Sequence, residues 1–118
     1  MPYMLLITEP TGQRQERSPE EGQDLYARML RFTDDLKAQG LHMASDSLRS
    51  DRHGVRVQVR GGQPRLVDGP FAEAKEMVGG FFLLNCTSRD EAVAIARRCP
   101  AAEWATVEVR ETGPCHDG

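Results

Sequence analysis

Two runs in this chain, Tyr3-Met4-Leu5-Leu6-Ile7-Thr8 and Phe81-Phe82-Leu83-Leu84, are apolar on both alternating sets of positions. Successive side chains of a strand point to opposite faces, so such a run needs cover on both sides and belongs inside a sheet rather than at its edge. A chain of 118 residues has room for one core. Both runs are therefore predicted to be central strands of one sheet, and the remaining segments must supply its edges and covering layers.

The helices announce themselves by their starts. Ser18-Pro19-Glu20-Glu21 offers an N-cap serine, a proline at the first helical position and a glutamate placed to close a capping box. Leu25, Met29, Phe32 and Leu36 then recur at helical spacing, with Tyr26, Leu30 and Thr33 on an adjoining stripe, until Gly40 offers a left-handed stop. The spacing predicts a helix over 19–39. Ser88-Arg89-Asp90-Glu91 repeats the capping-box pattern, Ala92, Ile95, Ala96 and Cys99 share a face, and Pro100 forbids continuation, which predicts a second helix over 88–99.

Between and after these helices lie the remaining strands. Residues 41–48 read as a strand whose alternation is blunted by Ser45, Asp46 and Ser47. Val55, Val57 and Val59 alternate with Arg56, Gln58 and Arg60, and Gly61-Gly62 turns the chain into a return strand over 63–67. A strand over 79–86 follows, and Ala105, Val107 and Val109 mark the last one, over 104–110. The domain is expected to span 1–111, with 112–118 a loose tail.

This order is that of an α+β, ferredoxin-like (split βαβ) sheet with two helices on one face and an inserted hairpin. Two helices cover only one face, so the apolar residues on the other need a second cover. A symmetry mate packed sheet against sheet supplies it, giving a homodimer of the dimeric α+β-barrel type as the expected assembly.

Composition narrows the partners. The net charge of -3 gives no electrostatic reason to expect nucleic acid, and the tightest basic group, Arg49, Arg52, Arg56 and Arg60, is interrupted by Asp51 and reads as a solvated face. The apolar start is too short to span a membrane and lacks the pattern of a signal peptide, so no membrane partner and a cytoplasmic address are expected. Cys86, Cys99 and Cys115 have no metal-ligand spacing and are expected to be reduced, the first two in the core. No zinc ligand set, phosphate-cradling loop or nucleophile elbow is present, so neither a metal nor another cofactor is expected.

Asp68-Gly69-Pro70-Phe71-Ala72-Glu73-Ala74-Lys75-Glu76, followed by Gly79-Gly80-Phe81, Cys99-Pro100 and Val107-Glu108-Val109-Arg110, resembles the YCII-related family in its DGPF subgroup. The resemblance covers nearly the whole chain and implies a ferredoxin-like domain that dimerises as an α+β barrel, with a ligand cleft between sheet and partner. It implies no single reaction. A His/Asp pair is suspected in core members of the family; Asp68 carries over from the motif, whereas no histidine neighbours it here. Ala74 stands where the family usually has threonine.

The residues themselves offer a set of candidates. Asp68 can initiate a turn or, at a cleft rim, act as a general base. His42 shares a strand face with Asp46, two pleats along. Lys75 lies between Glu73 and Glu76, an acid-amine-acid cluster suited to a polar ligand or to a solvated ion pair. Pro70 and Phe71 shape the loop, and Tyr26 offers a hydroxyl from the helix. Two functions fit: a module binding a small metabolite or regulatory partner in a cleft near the Asp-Gly-Pro-Phe loop, or a cofactor-independent lyase or isomerase. The second needs Asp68 or His42 as base and Lys75 as anion stabiliser, converging on one pocket.

Overall fold

The computed structural model describes residues 1–116. Along the chain run β1 (Tyr3–Pro10), α1 (Pro19–Ala38), β2 (His42–Ser47), β3 (Val55–Arg60), β4 (Gln63–Asp68), β5 (Glu76–Leu84), α2 (Arg89–Arg98) and β6 (Thr106–Glu111). Short 3₁₀ turns occupy Gln13–Glu16, Asp51–His53 and Pro100–Glu103. Four strands form an antiparallel sheet in the order β2-β5-β1-β6, with the two doubly apolar strands in the middle. This order and the two helices are consistent with a ferredoxin-like fold. β5 starts at Glu76 rather than 79, because β1 runs on to Pro10 and pairs it with Glu76. β6 starts at Thr106 rather than 104, because Trp104 still donates its N–H to Ala101 O at the end of the preceding 3₁₀ turn.

Both helices contribute to one core on one sheet face. Tyr3, Leu5 and Ile7 of β1 and Phe82 and Leu84 of β5 meet Phe32 and Leu36 of α1 and Ala92, Ile95 and Ala96 of α2, with the predicted core cysteines Cys86 and Cys99 buried among them. The Phe32 and Phe82 rings pack edge to face, 5.3 Å between centroids. On the opposite face the register sets Met4 beside Leu83 and Leu6 beside Phe81, and all four stay partly exposed. The adjoining α1 stripe is also less buried than its spacing suggests: Tyr26 and Leu30 are exposed. The helix seats through Phe32 and Leu36, while its first half stands over a cleft.

The helix ends follow their local chemistry. Ser18 Oγ accepts from Glu21 N–H at 3.2 Å, and the Glu21 carboxylate accepts from Ser18 N–H at 3.5 Å, completing the box. At α2 the box is half formed: Ser88 Oγ accepts from Glu91 N–H at 3.1 Å, without the reciprocal bond. Gly40 adopts φ 72°, which lets Leu41 N–H reach back to Leu36 O at 2.9 Å.

β3 and β4 form a separate two-stranded sheet turned by Gly61 and Gly62, at φ 56° and 76°. Every residue of both strands is exposed, so the hairpin projects from the body as an arm. The expected loose tail begins later than Thr112, whose N–H and Oγ1 both donate to Pro2 O, at 2.8 and 2.9 Å. Residues 117–118 of that tail lie outside the described residues. Among the described residues no helix is long and apolar enough to cross a membrane.

Candidate binding cleft

The inward parity of β1 reads Tyr3, Leu5, Ile7 and then Glu9, which puts a carboxylate on the buried face at 7% exposure. A buried carboxylate needs a partner, and the turn after Pro10 brings one. Arg14 donates Nε–H to Glu9 Oε2 at 2.9 Å and Nη2–H to Oε1 at 2.6 Å, a two-point ion pair, and its Nη1–H reaches Leu48 O at 2.8 Å. The register shift between Ile7 and Thr8 leaves Gly79 of β5 without a partner on β1. A Cβ on Gly79 would lie 1.8 Å from Glu9 Oε1, so the absent side chain is the space the carboxylate occupies. The Gly79-Gly80 pair thus marks close approach inside β5.

Above this floor, the first half of α1 roofs a cleft of about 410 Å³. Leu25 and Met29 line it from the helix with Tyr26 at the rim; Ile7 and Phe82 line it from the sheet; Trp104 closes one end. The apolar walls carry two arginines. Arg14 is neutralised by Glu9. Arg17 has no acidic partner among the described residues: its Nη2–H goes to Gln13 Oε1 at 2.9 Å and its guanidinium lies 5.9 Å from the centre of the Trp104 ring. Gln13 is held in turn, donating Nε2–H to Trp104 O at 2.8 Å. Arg28 also lies against Trp104, at 5.5 Å, and pairs with Glu103, whose carboxyl it holds below the usual range by hydrogen bonding.

Of the residues singled out from sequence, Tyr26 and Asp46 line this cleft, Asp46 at its β2 margin with Oδ1 accepting from Ser47 N–H at 3.0 Å. The others lie elsewhere. His42 pairs with Leu84, and its Nε2 contacts Ser45 Oγ at 2.7 Å. Lys75 precedes Glu76, so the 9 residues of β5 separate it from His42, roughly 30 Å at ~3.3 Å per residue. Asp68 is exposed where β4 ends at the root of the arm. Within one chain, His42 and Lys75 therefore do not converge on one pocket.

The Asp-Gly-Pro-Phe loop borders two further hollows. One, of about 570 Å³, takes in Phe71 and Glu76, and one of about 280 Å³ takes in Pro70 and Phe71. Glu73 pairs with Arg56 at 2.8 Å in solvent, and Arg56 stacks on Phe71 at 3.8 Å. The carboxylate that anchors the loop is Asp51, whose Oδ2 accepts from Phe71 N–H at 3.4 Å while Gly69 N–H donates to Gly54 O at 2.9 Å. Sequence reasoning read Asp51 only as an interruption of a basic group, and it passed over Glu9 and Arg14. Glu9 had a readable signal, an acid on the buried parity of a central strand.

Among the described residues no group of three or more His, Cys, Asp or Glu side chains is placed to hold a metal ion. An uncharacterized protein of Rhizobium meliloti is 53% identical over 45 residues, a stretch covering 38% of this chain and 36% of that protein's length. The YCII-related domain matches residues 1–114, nearly the whole of the chain. The chain belongs to the YCII-related domain family.

Proposed function

We propose that this YCII-related domain is a homodimeric binding module that takes a small amphipathic anion, such as an aromatic carboxylate, into the cleft between α1 and the sheet. The observation that carries the reading is Arg17: a guanidinium without an acidic partner among the described residues, at the mouth of a cleft of about 410 Å³ with apolar walls. An anionic head pairs with Arg17, an apolar body lies between Leu25, Met29 and Phe82, and Trp104 offers a stacking face. The Glu9–Arg14 pair closes the floor and leaves Arg14 little charge to offer. The dimer forms through the other sheet face, where Met4, Leu6, Phe81 and Leu83 stay partly exposed, so the cleft remains open in the assembly. Membership of the DGPF subgroup rests on the Asp68-Gly69-Pro70-Phe71 motif.

A convenient probe is anilinonaphthalene sulfonate, an apolar aromatic anion. Titration should show saturable binding that Arg17→Gln weakens about tenfold or more, the low end of a charged hydrogen bond's contribution. Arg65→Gln, on the arm, should leave it unchanged. Equal weakening by both variants, or by neither, would remove Arg17 as the anion site.

A further inference from the structure

The apolar stripe of α1 runs through Leu25, Met29, Phe32 and Leu36 at helical spacing. Carried one turn back, it falls at position 22, between Ser18 and Leu25 in the lining of the cleft, and there it is broken by a glycine. Glycine weakens a helix interior more than any residue but proline, so its presence needs a reason. The usual reasons are absent. Left-handed backbone is found, among the described residues, at Gly12, Gly40, Gly61 and Gly62 and not at Gly22. Its N–H donates to Ser18 O at 3.0 Å, an ordinary helical bond. A Cβ built on Gly22 would meet no atom within 4 Å beyond its own stretch of helix, whereas one on Gly69 or Gly79 would collide at 1.8 Å. Fold geometry therefore gives no reason for this glycine, and what it borders is the cleft.

We infer that Gly22 is a specificity-determining residue of the cleft: its missing side chain is room for the apolar body of the ligand, which packs there against bare helix backbone. This deepens the binding reading above and rests on it. An alanine at 22 would strengthen the helix, and a leucine would continue the stripe, but either would project into the cleft of about 410 Å³ that the anion's apolar body enters. Gly80 lines the same cleft from β5, also without a side chain. A ring system can thus lie between main-chain atoms of the helix and of the sheet, with its acidic head at Arg17. A residue that favours the ligand over the free fold is the expected form of a conflict between stability and binding.

The test pairs stability with binding on the full chain. Gly22→Ala should raise the urea midpoint at unchanged slope and weaken anilinonaphthalene sulfonate about tenfold, the effect of one extra carbon in an apolar site. Gly22→Leu should weaken the probe about a hundredfold. Gln23→Ala, at an exposed position of α1 outside the cleft lining, should leave affinity unchanged. A lower midpoint for Gly22→Ala, or its failure to fold, assigns the glycine to the fold and overturns the inference. Equal weakening by Gln23→Ala overturns it too. If both Gly22 variants bind as wild-type does while Arg17→Gln still weakens the probe, the inference falls and the binding reading stands. If wild-type binding is not saturable, or Arg17→Gln leaves it unchanged, the binding reading falls and the inference with it.

Discussion

Gly79 and Glu9 share one volume: the Glu9 carboxylate lies where a side chain on Gly79 would begin, 1.8 Å from an added Cβ. Gly79→Ala must therefore displace a buried carboxylate from its arginine. The expected loss is about 2–4 kcal/mol of stability, read from denaturant midpoints at unchanged slope. Because the nearest atom to a Cβ on Gly80 would be Asp46 O, at 3.0 Å, Gly80→Ala should cost less.

The two members of the ion pair are not equivalent, since the side chain of Glu9 is 9% exposed and that of Arg14 is 32% exposed. Removing the arginine strands a buried charge, whereas removing the carboxylate frees a guanidinium that can turn toward solvent. Arg14→Ala should destabilise more than Glu9→Ala, by about 1 kcal/mol or more. The reverse order in chemical denaturation would contradict the burial argument.

Thiol chemistry should separate the cysteines. Burial raises the Cys99 thiol above its ordinary range, and burial, then the nearby Glu91 charge, raises that of Cys86. Exposed Cys115 should react with a disulfide reagent at once, with Cys86 and Cys99 reacting only as the fold opens. The linkage sign follows. Both thiols bind their proton more tightly folded than unfolded, so their contribution is fully present below the unfolded thiol pKa of about 8.5 and is lost as pH rises through it toward the folded values.

Gly69 marks the root of the arm: a Cβ there would lie 1.8 Å from Asp51 O. Gly69→Ala should disturb the 51–54 and 69–74 segments while the core around Phe32, Leu36 and Leu84 keeps its protection. Hydrogen exchange should show faster exchange confined to those segments; loss of protection throughout would mean that the loop carries the core.

Much of the fold was legible because burial on two sides leaves a plain mark. The unbroken apolarity at Tyr3–Thr8 and Phe81–Leu84 located the sheet centre, Ser18 with Glu21 started α1, and Gly61-Gly62 closed a hairpin, each from local chemistry. The cleft was harder to read. Glu9 lies near the end of a strand, Arg14 lies in a short 3₁₀ turn after a polar loop, and the space for their pairing comes from a bulge on β5, distant in sequence. The prominence of the Asp68 motif drew attention to the arm root, where Asp51, with no motif of its own, accepts the loop's hydrogen bond.

Amide chemical-shift mapping with anilinonaphthalene sulfonate tests the central claim most directly, because the same spectrum reports the cleft, the open sheet face and the arm. The account predicts saturable shifts concentrated at Arg14, Arg17, Gly22, Tyr26 and Gly79-Gly80. Shifts centred instead on Val55–Arg60 and Gln63–Asp68, or on Met4, Leu6 and Leu83, would contradict it.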